Sequence, residues 1–537
     1  MTPSNSLVRH IARNKAAFLK RVAYLPSIPL LLDRCNYAAT IARFAISNAT
    51  DLFASAEVEQ PFLDLAQQLS VPLVEQPEPG TTLHVMTSAF ASGGHTRCVE
   101  RWMTYVKEMR HSCILLRQYK APPPLLQEVA EASGGKLYSL NPQESAVESA
   151  LKLRRLAATF EYVVLHITMS DPIALVAFGT PAFKRPIIYF NHADHIFWLG
   201  CSIADQVADL YSIHQKLTLE RRGIARSTLL GIPPDRATPR TFHTRETARQ
   251  KLGLPLNQKI LFTGGQAAKF IPVDDVRFTD ILDAVLARDP SIHIYVAGPS
   301  CKTPGGWKAL LRKWPRQVSL TGMLPYTTTF PLYLAAADLI LDSYPVNGWT
   351  FVIDAIQARK PVLSLSPIGS AEFLEKGGAV CHSDREMIER AVLLLSNPVE
   401  ARALQEKLFQ MWQESASVER WLARYRQLIA ALPKEHRIYP VTPALANLPL
   451  TPTSVATYHW LTPRINIRKA LHNWLRQYWG YRSPFFFRSI GFLHKHCMPA
   501  YRLLHSCRVK QEKASAQWDF SPEKLAELLR QPIITGP

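Results

Sequence analysis

Short, nearly uninterrupted apolar runs recur through the middle of this chain, each followed by an amphipathic segment long enough for a helix. They fall at 82–87, 112–116, 162–166 and 186–190, and again at 259–263, 292–297, 318–320, 339–341, 361–363 and 379–381. A strand with one wet face alternates apolar and polar residues, so a continuously apolar strand must be covered on both faces. Helices between consecutive strands supply that cover and make the sheet parallel. The pattern predicts an α/β fold of two doubly wound, Rossmann-like domains, 81–240 and 241–432, joined by PPDRATPRTFHTRETARQKLGL. Ligands in such sheets bind beyond the carboxyl ends of the strands, here in the crevice between the two domains. Residues 1–80 are expected to form a helical amino-terminal region, set off by VEQPEPGTT, and 384–431 a run of helices closing the second domain. No repeat of 20–50 residues occurs, which excludes a superhelical array.

Composition bears on partners and compartment. Hydrophobic residues make up 47% and charged residues 20% of the chain, which excludes a disordered protein. Lys and Arg number 62 against 43 Asp and Glu, a formal charge of +19, so the expected partner is anionic: a nucleotide, a nucleic acid or a lipid surface. None of the eight cysteines lies at CxxC spacing and several sit inside apolar runs, as buried free thiols of a reducing compartment do. The apolar block at 28–32 is too short for a signal peptide, and no run reaches the ~18 apolar residues of a membrane span. The expected location is therefore cytoplasmic.

Four constellations carry chemistry. The first, SAFASGGHTR, follows the first strand; Gly93 and Gly94 let backbone N–H groups approach an anion, and His95 stands at the mouth of the expected crevice. It is not GxGxxG and no ribose-binding acid follows at the usual distance, so a nicotinamide cofactor is disfavoured. The second, YFNHADHIFW, places His192, Asp194 and His195 at the end of an apolar strand, where imidazole suits proton transfer and the carboxylate could fix a tautomer. His192 and His195 have no second pair of metal ligands beside them, so no metal site is expected there. The third, LFTGGQAAK, is again a strand and a glycine-rich turn: Gly264, Gly265, Gln266 and Lys269, with an ammonium beside backbone donors as a diphosphate requires. The fourth, LDSYPVNGWTFVID, reads strand, Asn347-Gly348 loop, then a helix opening near Thr350. That helix start supplies N–H groups to phosphate, and Asp354, one turn on, could accept from ribose hydroxyls.

These residues resemble a known family. The two-domain layout and glycine-rich first loop look like GT-B glycosyltransferases, and Gln-x-x-Lys followed by Asn-Gly-x-Thr-x-x-x-Asp resembles the donor half of O-GlcNAc transferase and the related bacterial cytoplasmic N-glycosyltransferases. The resemblance implies that Gln266, Lys269 and Thr350 contact the donor diphosphate and Asp354 the ribose. It also implies that His95 and His192 lie on acceptor-side loops. The chain departs from the family at Trp349, Phe351, Thr327, Phe330 and Leu332, where the family has histidine, threonine or basic residues. The expected function is metal-independent transfer of a sugar from a nucleoside-diphosphate donor, UDP-linked by resemblance, to a glycan, lipid-linked or protein acceptor, as in polysaccharide biosynthesis or protein glycosylation. The nucleotide sugar is a co-substrate and no further cofactor is expected. The base is sought among His192, Asp194, His195 and His95. Two rivals stay open: a sugar-nucleotide epimerase, and a non-catalytic GT-B scaffold binding polysaccharide or a partner protein.

Beyond YPVTPALANLPLTPTS the chain changes character into a basic, aromatic carboxyl-terminal extension, 433–537. Residues 464–510 hold ten Lys or Arg and no Asp or Glu, interleaved with Trp, Tyr and Phe. This composition suits a packed helical appendage or a peripheral contact with an anionic membrane surface on its inner face; nucleic acid ranks last.

Overall fold

The structure, a computed structural model of the chain, describes residues 5–90, 94–193, 195–234, 243–272, 276–325, 328–365 and 372–442. The segment 464–510, Gly93, Asp194 and Thr327 lie outside the described residues.

Two all-parallel sheets form the frame. The first contains β1 (Glu78–Met86), β2 (Arg110–Leu115), β3 (Leu137–Ser139), β4 (Phe160–His166), β5 (Ile187–Asn191), β6 (Gln206–Asp209) and β7 (Ser227–Leu229), in the order β3-β2-β1-β4-β5-β6-β7. The second contains β8 (Lys259–Gly264), β9 (Ile292–Ala297), β10 (Val318–Gly322), β11 (Leu339–Leu341), β12 (Val362–Leu365) and β13 (Val380–Cys381), in the order β10-β9-β8-β11-β12-β13. The strand order reverses between β1 and β4 and again between β8 and β11. Loops leaving the carboxyl ends of strands at such a reversal diverge and leave a crevice. Three of the four constellations leave β1, β8 and β11, and the fourth leaves β5. The strands absent from the sequence expectation, β3, β6 and β7, are short and carry Ser, Gln or Asp in place of an apolar run.

The amino-terminal helices Asn5–Tyr24, Leu31–Ser47 and Ala56–Gln68 are a layer of the first domain and not a body of their own. Phe18, Ile41 and Phe62 share one buried cluster with Val163, Phe178 and Trp198. Two buried charges tie the layer down. The Arg154 guanidinium donates to the carbonyls of Ala66, Leu69, Val176 and Ala177. The Glu59 carboxylate accepts from the N–H groups of Gly200, Cys201 and Ser202 and from the Ser202 hydroxyl.

The chain also crosses back before it ends. After helices Asp384–Ser396 and Pro398–Ala416, helix Val418–Ala430 packs Trp421 and Tyr425 into a cluster with Trp102, Tyr105 and Tyr162 of the first domain. The Tyr162 and Tyr425 hydroxyls are 2.7 Å apart, and the Trp421 indole donates to the Gly231 carbonyl at 3.2 Å. His436 continues the clasp on the Asp205 carboxylate at 2.7 Å. Residues 418–442 thus belong to the first domain, whereas the sequence pattern alone assigns 418–432 to the second. A helix with an apolar face carries no sequence mark of which sheet it covers.

Among the described residues no helix is long and apolar enough to cross a membrane. Cys35, Cys98, Cys113, Cys201 and Cys381 are buried free thiols, and Cys301 is exposed.

Trp421→Ala removes a fully buried indole from the clasp, and truncations of this kind cost ~3–5 kcal/mol. Urea unfolding should show that loss; a change under ~1 kcal/mol would mean the clasp carries none of the domain's stability.

Candidate active site

The donor-side loop is built around a residue the motif search passed over. Asp342 directly follows β11 and is buried, 1% exposed. One carboxylate oxygen accepts from the N–H groups of Ser343 and Gly348 at 2.8 and 2.7 Å. The other accepts from Asn347 Nδ2 at 2.7 Å and the Ser364 hydroxyl at 2.9 Å. Burial pushes this carboxyl up from its ordinary range, while those bonds and the nearby Lys269 charge pull it down. The Ser343 hydroxyl donates to the Val346 carbonyl at 2.7 Å, closing the turn. The loop therefore arrives at helix Trp349–Gln357 in a fixed shape, with Gly348 as its N-cap and no side chain capping the first N–H groups.

Lys269 meets this loop. It lies in the 3₁₀ turn Ala267–Phe270 after β8, and its Nζ donates to the Asn347 carbonyl at 2.7 Å. Burial pushes the ammonium below its ordinary range and Asp342 partly restores it. A half-buried ammonium with donors to spare is a receptor for an anion. Gly264 and Gly265 bring the backbone close: a β-carbon on Gly265 would lie 3.2 Å from Lys269 Cδ. Gly298, with φ +105°, is required beneath them, since a side chain there would collide with the Gly265 carbonyl at 1.7 Å.

The remaining donor residues take different positions. Thr350 and Gln266 are exposed. The Asn347 amide is turned inward, onto Asp342 and Ser364, so it shapes the loop from beneath. Asp354 is 3% exposed, on the buried face of its helix. At two positions where the family resemblance would place polar groups, Phe330 and Phe351 pack 5.9 Å apart against Phe262, in the core behind the loop.

The acceptor-side loop comes to the same place. Gly94 opens helix Gly94–Tyr105, and a β-carbon there would lie 3.2 Å from Thr350 Cγ2. The next residue, His95, stacks on His192 with ring centroids 3.9 Å apart and 17° between planes. Its Nε2 is buried and has no hydrogen-bond partner among the described residues. Burial, then His192, hold it well below the usual imidazole range. His195 is half-buried in the turn that follows. Among the described residues no group of three or more His, Cys, Asp or Glu could hold a metal ion.

Beneath this pair three more imidazoles are buried, and the sequence reading missed them. His84 of β1, His111 of β2 and His166 of β4 are each 0% exposed. Isolated histidines inside apolar strands were the available signal.

No protein-family model and no curated protein matches the sequence. Solved structures do. A mutant O-GlcNAc transferase of Thermobaculum terrenum superposes with a TM-score of 0.50 at 14% identity, over 86% of this chain and 85% of that one. The chain has the GT-B fold. Also similar are HepE of Anabaena in complex with UDP and glucose, at a TM-score of 0.49 and 13% identity over 65% of this chain and 100% of that one, and a glycosyltransferase of Rickettsia africae, at 0.49 and 13% over 66% and 99%.

Burial holds the His84, His166 and His111 values below the imidazole norm, His111 at about 4, so these rings stay neutral in the folded chain. Their folded values lie below the unfolded ones. The stability they confer is whole above pH 6.5 and is lost as pH falls towards the folded values, by ~1.4 kcal/mol per pH unit for each ring at the steepest. Denaturant unfolding at pH 7.5, 6.5 and 5.5 should show an accelerating loss; a flat profile would mean that these rings titrate in the fold as they do in the unfolded chain.

Proposed function

We propose that the protein is a glycosyltransferase that moves a sugar from a nucleoside-diphosphate donor, UDP-linked, to a hydroxyl or amide of a glycan, lipid-linked or protein acceptor. The observation that carries this reading is the Lys269 ammonium, bonded to the Asn347 carbonyl beside the uncapped amino end of helix Trp349–Gln357. A cation and a row of N–H groups face one spot, and a diphosphate supplies the charge both lack.

The chemistry follows from what develops during transfer. The bond from the anomeric carbon to the diphosphate oxygen breaks with its electron pair, and charge accumulates where Lys269, the Thr350 hydroxyl and the helix N–H groups lie. This chain supplies the neutralising groups itself, so the reading calls for no metal. The family resemblance assigns Gln266 to the diphosphate and Asp354, although it is only 3% exposed, to the ribose hydroxyls. The acceptor oxygen attacks the anomeric carbon and gives its proton to a base. His95 is the best placed, because it follows Gly94, which meets Thr350, and it stacks on His192.

Removing one preorganised donor from such a site costs ~3 kcal/mol of barrier, about a hundredfold in rate. Lys269→Ala and Thr350→Ala should each lower turnover by about that factor with folding intact. In a thermal-unfolding screen of nucleotide sugars, a true donor at 100 times its dissociation constant adds ~2.7 kcal/mol. No response to any donor identifies a non-catalytic scaffold, and conversion of the nucleotide sugar without an acceptor identifies an epimerase.

A further inference from the structure

The three buried histidines are joined in a line. His111 Nε2 lies 2.8 Å from the Val106 carbonyl, His84 Nε2 lies 3.1 Å from His111 Nδ1, and His166 Nε2 lies 3.0 Å from His84 Nδ1. A carbonyl oxygen only accepts. His111 must therefore donate from Nε2 and accept at Nδ1, which forces His84 to donate from Nε2, which in turn forces His166 to do the same. One backbone atom sets three tautomers. At the end of the line His166 Nδ1 is left as a bare acceptor, buried and without a partner among the described residues.

Strand register gives the line its direction. His84 is level with Cys113 on β2 and with Val164 on β4, so His111 lies two residues earlier and His166 two residues later, all on one face of the sheet. The line climbs diagonally from the amino end of β2 to the carboxyl end of β4, beneath the crevice. Trp102 stands edge-on to His84 and His166, at 5.8 Å from each, and Phe190 is 5.0 Å from His166, which keeps water off. His95, whose ring centroid is 6.2 Å from that of His166, covers the upper end. A line ending in a carbonyl cannot pass a proton through to solvent. It can only hold a fixed polarity.

We propose that His111, His84 and His166 are positioning residues that set the electrostatic polarity beneath the base: anchored on Val106, they hold a bare, buried His166 Nδ1 under the His95–His192 pair, so that the negative end of a fixed row of imidazole dipoles lies below the ring that takes the proton. The catalytic half of this inference rests on the glycosyl-transfer reading above; the tautomers do not.

The test uses the full chain labelled with ¹⁵N-histidine at pH 7.5, together with two variants. Long-range ¹H–¹⁵N spectra should show protonated Nε2 and bare Nδ1 at all three residues. His111→Phe removes the acceptor for His84 and should give mixed tautomers at His84 and His166. His111→Asn, whose Oδ1 can occupy the place of Nδ1, should keep them. Turnover, read as nucleoside diphosphate released from a panel of UDP-, GDP- and TDP-sugars, should fall at least about tenfold in His111→Phe through kcat with KM unchanged, and recover in His111→Asn, as for other residues that orient a functional group from behind. An Nδ1–H tautomer at any of the three in the parent protein overturns the chain, even where a variant fails to fold. Unchanged turnover in a folded His111→Phe overturns its part in catalysis. A parent protein that turns over no nucleotide sugar overturns the glycosyl-transfer reading and the catalytic half with it, while the spectra decide the tautomers alone.

Discussion

A carboxylate taken out of water must be met by hydrogen bonds or neutralised, and Asp342 is met by two backbone N–H groups, an amide and a hydroxyl. That requirement fixes the loop from Ser343 to Gly348, because each donor must reach the same two oxygens. The loop in turn fixes the start of helix Trp349–Gln357 and offers the Asn347 carbonyl to Lys269. Remove the carboxylate, and the amino end of the helix, the lysine and the glycine turn after β8 lose their common reference. The anion-receiving geometry of the donor side is thus a consequence of one buried charge that never needs to touch the ligand.

The first sheet uses a different strategy. Across β2, β1 and β4 it carries neutral imidazoles whose polarity is dictated by a single carbonyl and shielded by Trp102 and Phe190. The two halves meet where Gly94 approaches Thr350.

How much of this could be read from the chain depends on the range of the interaction. The strands covered on both faces announced themselves as apolar runs. β6 did not, since Asp209 takes hydrogen bonds from Asn191, Thr218 and Ser227, and a strand with a wired carboxylate looks like a turn. The glycine-rich turns were legible because backbone crowding leaves a local mark. The inward turn of the Asn347 amide was not, for its partner Ser364 comes a strand later. Histidines separated by 27 and 82 positions align only once β2, β1 and β4 are laid side by side. The crossing of helix Val418–Ala430 depends on an indole finding Trp102, more than 300 residues earlier in the sequence.

The claim on which most depends is that an anion belongs between Lys269 and the first turn of helix Trp349–Gln357. A crystal structure of the protein soaked with UDP addresses it without reference to any acceptor. The diphosphate should lie against the lysine ammonium and the first helix N–H groups, with the Asp342 bonds undisturbed. A diphosphate bound elsewhere in a well-ordered crystal, or none at saturating UDP, would contradict it.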